Sequence, residues 1–197
     1  LLDEIEEVAK QERLDVEVIF VDDGSTDGTR ELISARAASK ARVKAVLLAR
    51  NFGQTAAMVA GIDHSSGDVI IPLDADMQND PRDIPQLLKK LEEGFDVVSG
   101  WRKDRQDKLF SRRFPSVLAN LLIAKVGGVA IHDFGCTLKA YRRRVIAHVH
   151  LYGEMHRLIP IYASRVGATI AEVSVRHHPR TIGKSKYGSW SRTFKVL

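Results

Sequence analysis

A single cysteine, Cys136, stands in a chain of 197 residues, so no disulfide can form within it. That excludes a disulfide-stapled extracellular scaffold and fits a reducing, cytosol-facing compartment. No hydrophobic run reaches the roughly 20 residues a membrane-spanning helix needs. The opening Leu1-Leu2-Asp3-Glu4-Ile5-Glu6-Glu7 is acidic and amphipathic, unlike a secretory leader. Its apolar positions Leu2, Ile5, Val8 and Ala9 share one helical face with no N-cap residue ahead of them, from which we expect the natural polypeptide to continue upstream. The histidines lack the helical pair-plus-acid spacing of zinc enzymes, and no aromatic stacking motif suits single-stranded nucleic acid. There is no internal repeat, low-complexity tract or evident linker, so one domain over residues 1–197 is expected.

What the chain does have is hydrophobic content of 44%, enough for a sizeable core, and a formal charge of +5 that favours an anionic partner. Phosphate-bearing small molecules, nucleic acid and acidic membranes all satisfy that charge. The clustered acids Asp22, Asp23, Asp74 and Asp76 oppose a nucleic-acid backbone.

Apolar runs predict strands over Val16–Val21, Val43–Leu48, Val69–Leu73, Asp96–Ser99 and Thr169–Val175. Helical patterns fall between them over Thr29–Ser39, Thr55–Ile62 and Ile84–Glu93, the last ended by Gly94. Strands alternating with helices predict an α/β domain with a mostly parallel sheet, in which ligands gather beyond the carboxyl ends of the strands. Asp22-Asp23, Asn51-Phe52-Gly53 and Asp74-Ala75-Asp76 each follow a predicted strand, so three polar clusters should converge on one edge. A basic segment from Arg102 to Arg113 then leads into an apolar helix at Val117–Val126, a pattern that suits an interfacial segment or an ordinary core helix.

The central stretch is Asp74-Ala75-Asp76-Met77-Gln78-Asn79-Asp80-Pro81. If the chain stays extended, Asp74, Asp76 and Gln78 project from one face as three oxygen donors, a set that suits Mg²⁺ or Mn²⁺ beside phosphate. The local pattern leaves equally open a solvated turn in which Asp80-Pro81 starts a helix.

Taken in order, Val21-Asp22-Asp23-Gly24-Ser25, Asn51-Phe52-Gly53, Gly67-Asp68 and Asp74-Ala75-Asp76 resemble the family-2 glycosyltransferases. Downstream, Arg102-Lys103-Asp104-Arg105-Gln106-Asp107, Asp133-Phe134-Gly135-Cys136-Thr137-Leu138-Lys139 and Gly183-Lys184-Ser185-Lys186-Tyr187 are similar to the polyprenyl-phosphate (dolichyl or undecaprenyl) subgroup. The resemblance covers nearly the whole chain. It implies a GT-A, Rossmann-like fold and inverting transfer of a hexose from a UDP or GDP donor to a polyprenyl phosphate, with Mg²⁺ or Mn²⁺, at the cytoplasmic face of a membrane. It assigns Asp74, Asp76 and Gln78 to metal and diphosphate, Asp22, Asp23, Asn51 and Gly53 to the nucleotide, and Asp76 to catalysis. Arg102, Arg105, Arg180, Lys184, Ser185 and Lys186 are implied for the acceptor phosphate. Asp133, the second catalytic candidate, falls where relatives place an acid near the acceptor, to orient the incoming phosphate through an arginine or to act as a base toward a hydroxyl acceptor, and a structural ion pair with Arg142-Arg143-Arg144 is an equal reading. His156-Arg157 lies in a further matching block, which the resemblance implies for the acceptor side, and Cys136 reads as a packed thiol.

Two departures accompany the match. The family's first strand, with its nucleotide-holding loop, has no counterpart, and membrane helices that many members carry at the far end are absent, so a catalytic-domain fragment is expected. A family-2 enzyme with a hydroxyl acceptor and a non-catalytic anion-binding module are the rival readings. The sequence leaves the sugar, the base and self-association open.

Overall fold

The computed structural model describes residues 1–103, 127–147, 149 and 151–179. The apolar run Val-Ile-Phe-Val forms β1 (Val18–Asp22), which pairs in parallel with β2 (Val43–Leu47), Val18 opposite Val43 and Asp22 opposite Leu47. Helix α1 (Leu2–Gln11) precedes this pair and α2 (Thr29–Ser39) joins its strands. Helix α3 (Gln54–His64) packs on β1.

A second sheet contains β3 (Val69–Ile70), β4 (Val97–Trp101), β5 (Lys139–Arg142) and β6 (Ile170–Ser174), in the order β3-β5-β4-β6. β4 and β6 are parallel, whereas β5 runs antiparallel to both β3 and β4. The parallel elements predicted from sequence are therefore present with one antiparallel strand inserted among them. The Val69–Leu73 run enters the ladder only at Val69 and Ile70. Pro72 has no N–H to donate, which stops the pairing short of the acidic loop.

Strand periodicity divides the core between two faces of this sheet. Val98 and Ala140 face Leu87 and Leu91 of α4 (Ile84–Glu92), while Val97 and Tyr141 face Ile159 and Ala163 of α6 (Ile159–Arg165). The short α5 (Arg143–Ile146) adds Val145 and Ile146 to the second cluster.

β1 and β3 are each hydrogen-bonded on one side only among the described residues, and the two sheets do not join. Between them lies a cavity of about 750 Å³, lined by Val18–Val21, Val69–Leu73 and side chains of α3 and α4 such as Met58 and Leu88. Val18–Val21 are consequently half-buried, although a continuous apolar strand is the signature of burial on both faces. At its polar end the same cavity reaches Gln54, Asp74, Thr137, His156 and Arg157. Among the described residues no helix is long and apolar enough to cross a membrane.

Candidate functional site

Asp22 ends β1 with its carboxylate buried, where both oxygens accept the Ser25 N–H (3.2 and 3.1 Å) and close the Asp-Asp-Gly-Ser turn. Gly24 has a φ of +76°, and a Cβ there would stand 2.5 Å from the Arg50 carbonyl carbon. Only glycine lets the two loops approach so closely. Asp23 completes the contact: its carboxylate accepts the Phe52 N–H (2.7 Å) and the Gly53 N–H (2.9 Å), while Asn51 Nδ2 donates to the Asp23 carbonyl (3.1 Å). The two upstream motifs thus interlock, with each aspartate shaping a loop through backbone amides. A carboxylate has about four acceptor positions, so these bonds leave capacity for a ligand's hydroxyl or N–H donors.

Gln54, the first residue of α3, donates to Asp74 Oδ1 (2.9 Å), and Thr137 Oγ1 donates to Oδ2 (3.0 Å). Asn79 Nδ2 in turn donates to Thr137 Oγ1 (2.9 Å). Burial raises the Asp74 pKa, the charge of Asp76 raises it further, and the Thr137 and Gln54 hydrogen bonds and the Arg102 charge oppose the rise. The loop is not extended as one of the sequence readings required. Ala75 and Asp76 form a turn, Met77 takes a φ of +60°, and Asp76 Oδ1 accepts the Gln78 N–H (3.1 Å). Two carboxylates are therefore brought together by a turn rather than by strand alternation. The Gln78 carboxamide nitrogen points to the His178 carbonyl (3.4 Å).

This donor set fits a hard divalent cation. Asp74 is a half-enclosed carboxylate destabilised in its charged form by burial and by Asp76, and positive charge would relieve both. Among the described residues no group of three or more His, Cys, Asp or Glu forms a complete cage. Mg²⁺ and Mn²⁺ need none, since one or two carboxylates suffice where phosphate oxygens and water fill the other positions.

Asp133 is buried and grips Arg102 through a two-pronged pair, Nε to Oδ2 at 2.7 Å and Nη2 to Oδ1 at 2.9 Å. The Gly135 N–H adds a third bond to Oδ1 (3.1 Å). The reading that paired Asp133 with Arg142-Arg143-Arg144 is corrected. Arg142 donates to the Leu91 and Phe95 carbonyls, Arg143 to Gly67 O and Ser65, and Arg144 to Asp96, because all three lie at the opposite end of β5. Arg105, Arg180, Lys184, Ser185 and Lys186 lie outside the described residues, as does the predicted helix at Val117–Val126.

One buried residue, Lys139, escaped assignment from sequence, whereas His156 was placed only within a matching block. Lys139 is fully enclosed behind the Asp133–Thr137 loop, where its ammonium donates to the carbonyls of Phe134 and Cys136 and burial pushes its pKa down. Its signal in the sequence is a lysine inside an otherwise apolar Leu138–Tyr141 run. His156 is buried beside the cavity, with Nδ1 2.7 Å from Thr55 Oγ1, and that hydroxyl donates to the Gly153 carbonyl (2.5 Å). The hydroxyl proton is thereby committed, so Nδ1 carries the ring proton and donates to Thr55. Burial, then the charges of Arg157 and Lys139, lower the His156 pKa to about 4. Cys136 is a packed thiol whose pKa burial pushes up.

The family model for glycosyl transferase family 2 matches residues 1–149. The chain is 50% identical over 187 residues to the dodecaprenyl-phosphate galacturonate synthase of Rhizobium johnstonii, covering 92% of this chain and 54% of that protein. It is 44% identical over 174 residues to the undecaprenyl-phosphate 4-deoxy-4-formamido-L-arabinose transferase of Pseudomonas aeruginosa, covering 88% and 51%. It thus spans about half the length of these two relatives. A mannosyltransferase from Pyrobaculum calidifontis, solved with GDP-Man and Mn²⁺, superposes with a TM-score of 0.69 at 20% identity, over 99% of this chain and 56% of that one. On the family match and the shared architecture, the chain belongs to glycosyl transferase family 2 and has the GT-A fold.

Proposed function

We propose that this chain is the catalytic domain of an inverting enzyme that moves a sugar from a UDP or GDP donor to a polyprenyl phosphate, at the cytoplasmic face of a membrane. The observation that carries the reading is the meeting of the interlocked Asp23–Gly53 loops with Asp74 through the Gln54 bond, in a chain half identical to a dodecaprenyl-phosphate galacturonate synthase.

Asp22, Asp23, Asn51 and Gly53 form the wall that receives the base and ribose. Asp74, Asp76 and Gln78 are the residues to hold Mg²⁺ or Mn²⁺ next to the diphosphate. A bound cation supplies Lewis-acid stabilisation to the departing nucleotide diphosphate. Gln54 and Thr137 hold Asp74 in one orientation, so its carboxylate needs no rearrangement when the donor arrives. The acceptor needs little activation, because a phosphate monoester with a second pKa of about 6 is largely dianionic at neutral pH. Its two charges require cations instead. Arg102, fixed by Asp133, is one, and Arg105, Arg180, Lys184 and Lys186 are the others, with Ser185 as a hydroxyl donor. Asp133 then serves by orienting Arg102 rather than as a base.

The deciding experiment is a transfer assay on the full-length protein in lipid, with a panel of UDP and GDP sugars and undecaprenyl or dolichyl phosphate as acceptor. Metal-dependent formation of a lipid-phosphate sugar is expected. Transfer confined to a hydroxyl acceptor, or nucleotide binding without any transfer, would overturn the reading.

A further inference from the structure

Two consecutive residues in the first turn of α3 reach in different directions. Gln54 donates to Asp74 Oδ1 (2.9 Å), while Thr55 meets His156 Nδ1 (2.7 Å) in the short helical turn Met155–Leu158. That turn is thereby pinned beside the acidic loop. The tautomer that Thr55 selects, with the proton on Nδ1, leaves a lone pair on the other ring nitrogen, and Arg157 Nε points at it from 3.4 Å. Because burial lowers the His156 pKa to about 4, the imidazole is neutral near pH 7 and accepts from the guanidinium without repelling it.

The Arg157 side chain is 27% exposed and lines the polar end of the cavity together with Gln54, Asp74 and Thr137. The one ion pair it makes among the described residues is with Glu154, at 3.8 Å from Nη2, too long for a hydrogen bond. The neighbouring cations are held more closely. Arg102 is clasped by Asp133 through two bonds, and the Lys139 ammonium is turned to the carbonyls of Phe134 and Cys136. A mostly buried guanidinium with no carboxylate at bonding distance is poorly compensated, and an incoming anion would supply what it lacks. We propose that Arg157, oriented by His156, is an anion subsite for the donor, its two terminal nitrogens meeting two oxygens of one group, either the diphosphate or the carboxylate of an acidic sugar. Both groups offer the oxygen pair that a guanidinium reads best. The inference rests on the reading of Asp74 and Asp76 as the diphosphate site. It moves Arg157 from the acceptor side, where sequence resemblance put it, to the donor side, because a single turn of α3 ties both its neighbour His156 and Asp74.

The test uses the full-length protein in lipid, with Mn²⁺ present, titrated with UDP, UDP-galactose, UDP-galacturonate, GDP and GDP-mannose. Arg157→Gln is expected to weaken binding about tenfold, the scale of losing one charge-assisted contact. Arg157→Lys, which keeps the charge and loses the fork, should lie between it and the wild type, and it serves if the glutamine variant does not fold. His156→Phe should weaken binding about threefold and add nothing in the Arg157→Gln background, since it acts only through the arginine. Equal loss for free nucleotides and nucleotide sugars assigns the subsite to the diphosphate, and loss confined to UDP-galacturonate assigns it to the sugar carboxylate. Unchanged donor affinity in a variant that melts as a folded protein would overturn the proposal. So would equal loss for UDP-galactose and UDP-galacturonate with none for UDP, which marks a sugar hydroxyl, or a raised acceptor KM with donor constants unmoved. Because the readout is donor binding, a wild type that binds donor yet transfers to no polyprenyl phosphate overturns the functional reading alone, and one that binds none of the five overturns both.

Discussion

Asp76 and His156 carry the clearest consequences of single side chains. Burial raises the pKa of Asp74 and the charge of Asp76 adds to it, so Asp76→Asn should relieve part of that rise and at the same time remove negative charge from the proposed metal site. Transfer should fall by about two to three orders of magnitude, the scale of losing one preorganised electrostatic contact. Titration of Mn²⁺ in the presence of nucleotide should show weaker binding, and full metal-dependent turnover would refute the assignment. His156 works through the folded state. Its pKa is lowered from 6.5 to about 4, so between those values the unfolded chain binds a proton that the native chain does not. Its contribution to stability is therefore complete above about pH 6.5 and is lost as pH falls toward 4. Melting curves should show this loss of Tm on acidification, and His156→Gln should flatten it across that window.

At the scale of elements, the β1 turn and α4 make different demands on their residues. The Gly24 turn is a close approach of two loops, so Gly24→Ala should push Arg50 and Asn51 away, loosen the amides that Asp23 holds, and weaken nucleotide binding by more than it lowers Tm. Calorimetry with UDP and GDP beside a melting curve separates the two effects. Leu87 of α4 is fully buried between the sheet and Leu91, and Leu87→Ala should cost about 2–5 kcal/mol of stability by denaturant titration, with little change in donor affinity for the folded fraction. Most elements were legible in the sequence because their signal is local: Val-Ile-Phe-Val marks β1, and the apolar spacing of Ile84–Glu92 marks α4. β5 was not, since Lys139-Ala140-Tyr141-Arg142 alternates nothing and buries its lysine, and its place is set by the neighbours β3 and β4 rather than by its own pattern. The acidic loop was half legible. Its carboxylates and their company were evident, but the turn at Ala75-Asp76 depends on Met77 adopting a positive φ, which no residue-type rule anticipates.

In the whole molecule, the site is assembled from two sheets. The Asp133–Arg102 pair and the His178–Asp80 contact join residues 31 and 98 positions apart, and such partnerships are settled by topology, which is why sequence offered Arg142–Arg144 as an equal partner for Asp133. The loops proposed to receive the nucleotide belong to the β1–β2 half, while Asp74 and Thr137 belong to the other half, and the cavity runs between them. Among the described residues, direct ties across it near the site include the Gln54–Asp74 bond and the bonds of Thr55 to Gly153 and His156. Gln54→Ala should accordingly weaken nucleotide-sugar affinity several-fold while leaving binding of the free nucleoside less affected, a difference that paired titrations would read. On the proposed function the cavity behaves as the throat of a caliper: its width sets the span between the jaw proposed for the base and the jaw proposed for the diphosphate.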